Sequence, residues 1–188
     1  MGAQVRARAL GLANLKLAGL AAVALFLGGC GGSEGRVAGP QVVQLGWHEN
    51  CGTRADRLPI ATRRLVVGKG RWRVDLSFLN EMGVPLSVVR AHHPGQTLFG
   101  LEVFRTTSLQ EVRNRAAAGS IHPQALADRF SPSRPTLIPP GRGWSGSFSG
   151  RGGLPADVPI RVVLGAFLPP GPITDRFLCI SEKVVRLR

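Results

Sequence analysis

The sequence predicts an all-β domain, an antiparallel β-sandwich with a short helical insertion at about residues 108–130. The 188 residues include 25 glycines and 14 prolines, a turn-rich composition that disfavours helical bundles and coiled coils. Apolar residues make up 44% of the chain, enough for one folded domain. Short segments of strand character alternate with turn signals at about every 8 to 12 residues, which is typical of a sandwich.

The segment 71–79 is the clearest strand. From Arg71 to Phe78 polar and apolar residues alternate, so one face of this strand is expected to be buried. The other strands are predicted at 41–47, 63–67, 85–90, 98–105, 136–138, 143–150, 160–167, 175–180 and 183–187. The predicted core consists of Trp72, Val74, Leu76, Phe78, Leu101, Val103, Phe148, Val162 and Leu164.

Two short helices are predicted within the insertion. Ser108 and Glu111 are spaced as a capping box, which favours a helix from Ser108 to about Ala118. Pro123 suits the first turn of a second helix that runs through about Arg129.

Residues 1–29 have the layout of a secretory signal peptide. Three cations and no acidic residue accompany the apolar run 17–27, which as a helix would span about 17 Å and is too short for a hydrocarbon core of about 30 Å. The run ends at Leu27-Gly28-Gly29-Cys30, which resembles the bacterial lipobox. The resemblance implies that Cys30 receives a diacylglyceryl group and becomes the first residue of the mature chain. An ordinary thiol at Cys30 is the alternative.

The lipobox interpretation divides the chain into three predicted parts. These are a signal peptide at 1–29, a flexible glycine-rich tether at 30–40 and the sandwich domain at 41–188. Acyl chains on Cys30 would anchor the protein to a membrane without spanning it. The lipobox resemblance also implies a destination, because Gly31 rather than Asp follows the cysteine. In a host with two membranes we expect the outer membrane, with the domain in the periplasm.

Cys51 and Cys179 are the two cysteines that remain in the mature domain. The cell envelope is an oxidising compartment, so we expect a disulfide between them. Two separately buried thiols are the alternative.

The domain is strongly basic. Removal of the signal peptide takes three of the 24 cations and none of the 11 acids, which leaves a formal charge of +10. The best candidate for an anion-binding patch is formed by Arg63, Arg64, Arg71, Arg73 and Arg90. A solvated arginine face without a specific partner is the alternative, and no specific binding of nucleic acid is expected.

The sequence gives weak support to dinucleotide binding, metal binding and the stacking of ligands on tryptophan. Gly141 to Gly146 spell G-x-G-x-x-G, but prolines precede them and a serine-rich strand follows, which indicates a turn rather than a dinucleotide site. The best candidate for a metal site combines His48 and Glu49 with His92 or His93. A metal ion needs three or four ligands that converge on one point, and the sequence does not indicate such a set, so neither metal nor cofactor is expected. Trp47 and Trp144 flank predicted turns, where exposed indole rings would stack on sugars or bases.

The segments VDLSFLNEMGVPLSV (74–88), LEVFR (101–105), PTLIPPGRGWSGSFS (135–149) and IRVVLGAF (160–167) resemble immunoglobulin-like sandwiches of bacterial envelope proteins. The resemblance implies a non-enzymatic envelope lipoprotein with a binding or assembly role, whose partner is another envelope protein or an anionic envelope polymer. The step from Asn80 to Pro85 is also similar to the water-stress domains of late-embryogenesis proteins, so a protective or chaperone-like role is the alternative. A hydrolase with an unrecognised site is the third candidate.

Overall fold

The computed structural model describes residues 36–52, 57–88, 99–104, 110, 125–170 and 177–188. The strands in this described part are β1 (Gln41–Gly52), β2 (Arg57–Gly68), β3 (Arg71–Leu79), β4 (Leu86–Val88), β5 (Phe99–Val103), β6 (Ala125–Leu126), β7 (Arg129–Ser131), β8 (Leu137–Ile138), β9 (Gly143–Arg151), β10 (Pro159–Leu168), β11 (Phe177–Ile180) and β12 (Val185–Arg186). The first sheet has the order β1-β2-β3-β9-β7. The second has the order β6-β5-β10-β4-β8, and β11 and β12 also pair with β10. All these pairings are antiparallel, and the predicted all-β sandwich is confirmed.

One hydrophobic core lies between the two sheets. Phe148 of β9 contacts Trp72 in its own sheet and Phe99 of the second sheet, with ring centroids 5.9 and 5.5 Å apart. Phe78 of β3 contacts Phe167 of β10 at 5.6 Å. These edge-to-face contacts join the layers. All nine predicted core residues are buried: Trp72, Val74, Leu76, Phe78, Leu101, Val103, Phe148, Val162 and Leu164.

The glycines of β9 make room for two indole rings. A Cβ atom on Gly146 would collide with the ring of Trp144, and one on Gly150 would collide with the ring of Trp72. Gly141, with a φ of 68°, lies in the turn before the strand. The G-x-G-x-x-G sequence is therefore a turn followed by a strand, as predicted.

The second predicted helix, from Pro123 through about Arg129, is wrong. Its residues instead supply β6, which pairs with β5, and the start of β7, which pairs with β9. Each lies at the edge of a sheet, where hydrogen bonds to an existing strand stabilise an extended segment better than an isolated turn of helix would. The first predicted helix lies outside the described residues, apart from Gln110, which is helical.

The expectation that Trp47 and Trp144 are exposed is also wrong. Their exposed fractions are 7% and 9%. Trp47 lies inside β1 because that strand continues to Gly52. Trp144 stacks on Phe78 with 5.5 Å between ring centroids, and its Nε1 donates a hydrogen bond to the carbonyl oxygen of Ser133.

Two links join β1 to the second sheet. Cys51 of β1 and Cys179 of β11 form the predicted disulfide, with their Cα atoms 5.7 Å apart. Nearby, the Glu49 carboxylate accepts a hydrogen bond from the backbone N–H of Glu182 at 2.7 Å. Burial raises the pKa of the Glu49 carboxyl, and this hydrogen bond only partly offsets the effect.

The last residues of the predicted tether lie on the domain. Val37 forms a β-bridge with Pro155, and the N–H of Ala38 donates to the carbonyl oxygen of Leu154 at 2.8 Å. Ala38 is 6% exposed. Residues 36–39, which the sequence assigned to a flexible tether, are therefore held on the domain by backbone hydrogen bonds.

Candidate anion-binding site

Four of the five predicted patch residues lie on the outer face of the first sheet. The alternation in β3 turns Arg71 and Arg73 away from the core. The pairing of β2 with β3 shifts register between Thr62 and Arg64, and this bulge leaves both Arg63 and Arg64 exposed. The fifth predicted residue, Arg90, lies outside the described residues.

Strand pairing adds two arginines that the sequence prediction missed. Arg151 of β9 lies directly opposite Arg71, while Arg129 of β7 lies opposite Ser149, which itself lies opposite Arg73. We call the surface formed by these six residues the arginine face: Arg63, Arg64, Arg71, Arg73, Arg129 and Arg151. Two carboxylates accompany them, those of Asp75 and Asp128.

Asp75 holds two of these guanidinium groups in place. Arg73 Nε lies 3.0 Å from one carboxylate oxygen of Asp75, and Arg64 Nε binds the other. The aspartate side chain is 16% exposed, whereas those of the arginines are 46% and 45% exposed. Such exposed pairs contribute little stability. Their effect is geometric, since two cations share one anion and remain accessible.

The pairing of Arg71 with Arg151 places like charges opposite each other. Directly opposed like charges destabilise a sheet. Asp128 lies 3.3 Å from Arg151, but Arg71 has no carboxylate partner among the residues that the structure describes. This repulsion would be relieved by an external anion.

A row of serines runs along the same face. Ser145, Ser147 and Ser149 occupy the outward positions of β9, and Ser149 lies between Arg73 of β3 and Arg129 of β7. In the described part of the chain these three hydroxyl groups have no hydrogen-bond partner. The alternation of serine with Trp144 and Phe148 is the sequence signal from which this row, and Arg151 after it, could have been found.

Two shallow depressions on this face form one continuous surface. The first is lined by Gln44, Arg63, Arg64, Arg73, Asp75 and Ser147, and the second by Arg71, Arg73, Arg129, Ser131, Ser147 and Ser149. They share Arg73 and Ser147. The arginine face is therefore a wide, open surface of hydrogen-bond donors rather than an enclosed pocket.

Among the described residues, His48 and Ser145 are too far apart to act as base and nucleophile, and no metal-ligating cluster occurs. His48 and Ser145 lie on one row of the first sheet but three strands apart, a distance of about 14 Å. A base must lie within hydrogen-bond reach of its nucleophile, so this pair cannot act together. No group of three His, Cys, Asp or Glu side chains that could hold a metal occurs among the described residues. His92, His93 and His122 lie outside them.

The chain was compared with family models, curated proteins and solved structures, and none of them matches it. Within the described residues, no helix has the length and apolar character needed to cross a membrane. Function has therefore to be inferred from the arginine face and from the N-terminal sequence.

Proposed function

We propose that this protein is a non-enzymatic lipoprotein of the bacterial cell envelope, anchored through Cys30, whose domain binds an anionic envelope polymer. The observation that carries the proposal is the arginine face, where six guanidinium groups and three serine hydroxyls surround two carboxylates. The lipobox resemblance of Leu27-Gly28-Gly29-Cys30 supports the anchor and a periplasmic position on the outer membrane in a host with two membranes.

The chemistry of the face favours phosphate, sulfate or carboxylate groups. Guanidinium groups bind these anions with two parallel hydrogen bonds, and hydroxyl groups add further donors. The described surface has no exposed aromatic side chain. Base stacking, on which binding of single-stranded nucleic acid depends, has no support there.

The dimensions of the face favour a polymer over a small molecule. β3 and β9 each contain nine residues, which corresponds to about 30 Å of strand. Outward side chains recur at about 7 Å along each strand. An extended polyanion would contact several cations in succession, whereas the open shape offers little enclosure to a compact ligand.

The test is retention of the domain on immobilised heparin, used as a model polyanion. The domain is Gly35–Arg188, a compact unit that contains the whole core and the disulfide. The site variant is Arg73→Gln/Arg129→Gln, and the control, which removes the same charge elsewhere, is Arg57→Gln/Arg142→Gln. We expect the site variant to elute at much lower salt than the control. Equal losses would show that net charge alone is responsible and would contradict the proposal.

A further inference from the structure

The chain enters the domain at one end of the sandwich. Besides the β-bridge of Val37, the N–H of Ala156 donates to the carbonyl oxygen of Arg36 at 2.7 Å, and the N–H of Gly39 donates to that of Arg188 at 3.3 Å. β1 and β3 begin at this end, and β2 and β9 finish there. We call it the tether end.

Cations gather at the tether end. The turn between β2 and β3 contains Lys69, and its Gly70 carbonyl accepts a hydrogen bond from the N–H of Gly152 at 2.9 Å, which holds the end of β9 beside it. The exposed cations at this end are Arg36, Lys69, Arg71, Arg151, Arg186 and Arg188. Two described side-chain carboxylates lie nearby, and each is within an ion pair: Asp157 with Arg36 at 2.9 Å and Asp128 with Arg151 at 3.3 Å.

Among the described residues, the opposite end of the first sheet has fewer exposed cations on its strand ends. Arg57 and Arg142 lie there, where β2 and β9 begin, and Arg57 is 3.5 Å from Glu81. Within the part of the chain that the structure describes, exposed positive charge is therefore denser near residue 36.

From this arrangement we propose that the tether end is a membrane-docking surface that binds the anionic headgroups of the bilayer holding the anchor. The inference rests on the proposed lipidation of Cys30. Five residues separate Cys30 from Arg36, so even a fully extended chain keeps the tether end within about 22 Å of the acylated cysteine. Anionic headgroups attract cations at this range, and their attraction falls off within a Debye length of about 8 Å.

The contacts at the tether end suit a headgroup layer. Arg71, which faces Arg151 across the sheet, gains an anion that the described residues do not supply. Val37, 65% exposed among these cations, offers a small apolar contact. Docking at this end sets the strands of the first sheet upright on the bilayer, so that the arginine face extends from the membrane toward the envelope polymer.

The first experiment measures binding of the Gly35–Arg188 domain to vesicles of phosphatidylcholine with and without phosphatidylglycerol. The docking variant is Lys69→Glu/Arg71→Glu, and Arg57→Glu/Arg142→Glu is the control of equal charge. Each cation lost from a docked surface reduces binding about 5-fold. We expect the docking variant to bind at least about 25-fold more weakly than the wild type and the control to change far less. Equal losses, or wild-type binding that ignores phosphatidylglycerol, would overturn the proposal.

The second experiment uses the full lipidated protein and the position of its lysines. Beyond the signal peptide the chain contains two lysines, Lys69 at the tether end and Lys183, whose charge acts on Glu49 beside the disulfide. Acetylation of protein in phosphatidylglycerol vesicles should be suppressed at Lys69 and retained at Lys183, relative to detergent solution. Equal reactivity would refute the orientation. Neither result depends on heparin retention by Arg73 and Arg129, so failure of docking and failure of polymer binding can be told apart.

Discussion

Neutralising Arg71 should stabilise the domain. Arg71 lies directly opposite Arg151 and has no described carboxylate partner, and opposed like charges on neighbouring strands cost about 0.2–1 kcal/mol. Arg71→Gln removes this repulsion. Arg71→Glu replaces it with an attraction of similar size, so its gain should be roughly double. For a domain of this length, 1 kcal/mol corresponds to about 2–4 °C in Tm, so the expected rise is about 0.4–4 °C for glutamine and more for glutamate.

The assay is thermal unfolding with the disulfide intact, at low salt and in 1 M NaCl. The Debye length falls to about 3 Å at 1 M salt, so the three proteins should then unfold at nearly the same temperature. Arg142→Gln serves as the control, because it lowers the net charge equally without a charge opposite it. A gain that persists in 1 M NaCl, or an equal gain in Arg142→Gln, would refute the assignment of repulsion to this pair.

Three further predictions concern the anchor and the link between the sheets. Cys30→Ala should release the protein from the membrane fraction, whereas intact-mass analysis of the wild type should find a mature chain beginning at acylated Cys30; unchanged fractionation would contradict lipidation. Cys51→Ser/Cys179→Ser should lower the free energy of unfolding, measured in urea, by roughly 4–5 kcal/mol in the chain-entropy estimate for a loop of this size; no loss would contradict that estimate. Glu49→Gln should be more stable than the wild type at pH 7, because the raised pKa of Glu49 means that its charged form destabilises the fold. That advantage should shrink as the pH falls toward the ordinary value near 4.5, where the wild-type carboxyl is protonated, and a difference independent of pH would contradict the assignment.

Local alternation is sufficient to predict the part of the core that β3 and β9 supply. The segment 71–79 and the serine-rich segment 143–150 each show a two-residue period, and both lie in the first sheet with the predicted residues buried. The same period places Arg71 and Arg73 on the outside. The sandwich and the outward positions of Arg71 and Arg73 follow from such short-range patterns, whereas the exposure of both Arg63 and Arg64 depends on the bulge between β2 and β3.

The rest of the site depends on long-range pairing. Arg151 faces Arg71 across 80 positions of sequence, and no local pattern specifies that β3 pairs with β9. The sequence predicts a helix at Arg129 because Pro123 suits a first turn and Leu126 and Phe130 share one helical face, whereas pairing with Ser149 of β9 places Arg129 in a strand. The backbone contacts of Arg36 and Ala38 do not follow from the local sequence for the same reason, since their partners Ala156 and Leu154 are remote in sequence.

Arg71 belongs both to the arginine face and to the tether end, so the two proposed ligands meet at one residue. On a docked domain, headgroups would compete for Arg71 and Arg151, which lie closest to the bilayer. Arg63, Arg64 and Arg73 lie further along the strands, and Asp75 already orients two of these three side chains. A bound polymer should therefore contact the middle of the sheet most strongly. This division of roles explains why the Arg73→Gln/Arg129→Gln and Lys69→Glu/Arg71→Glu variants are expected to affect heparin and vesicle binding differently.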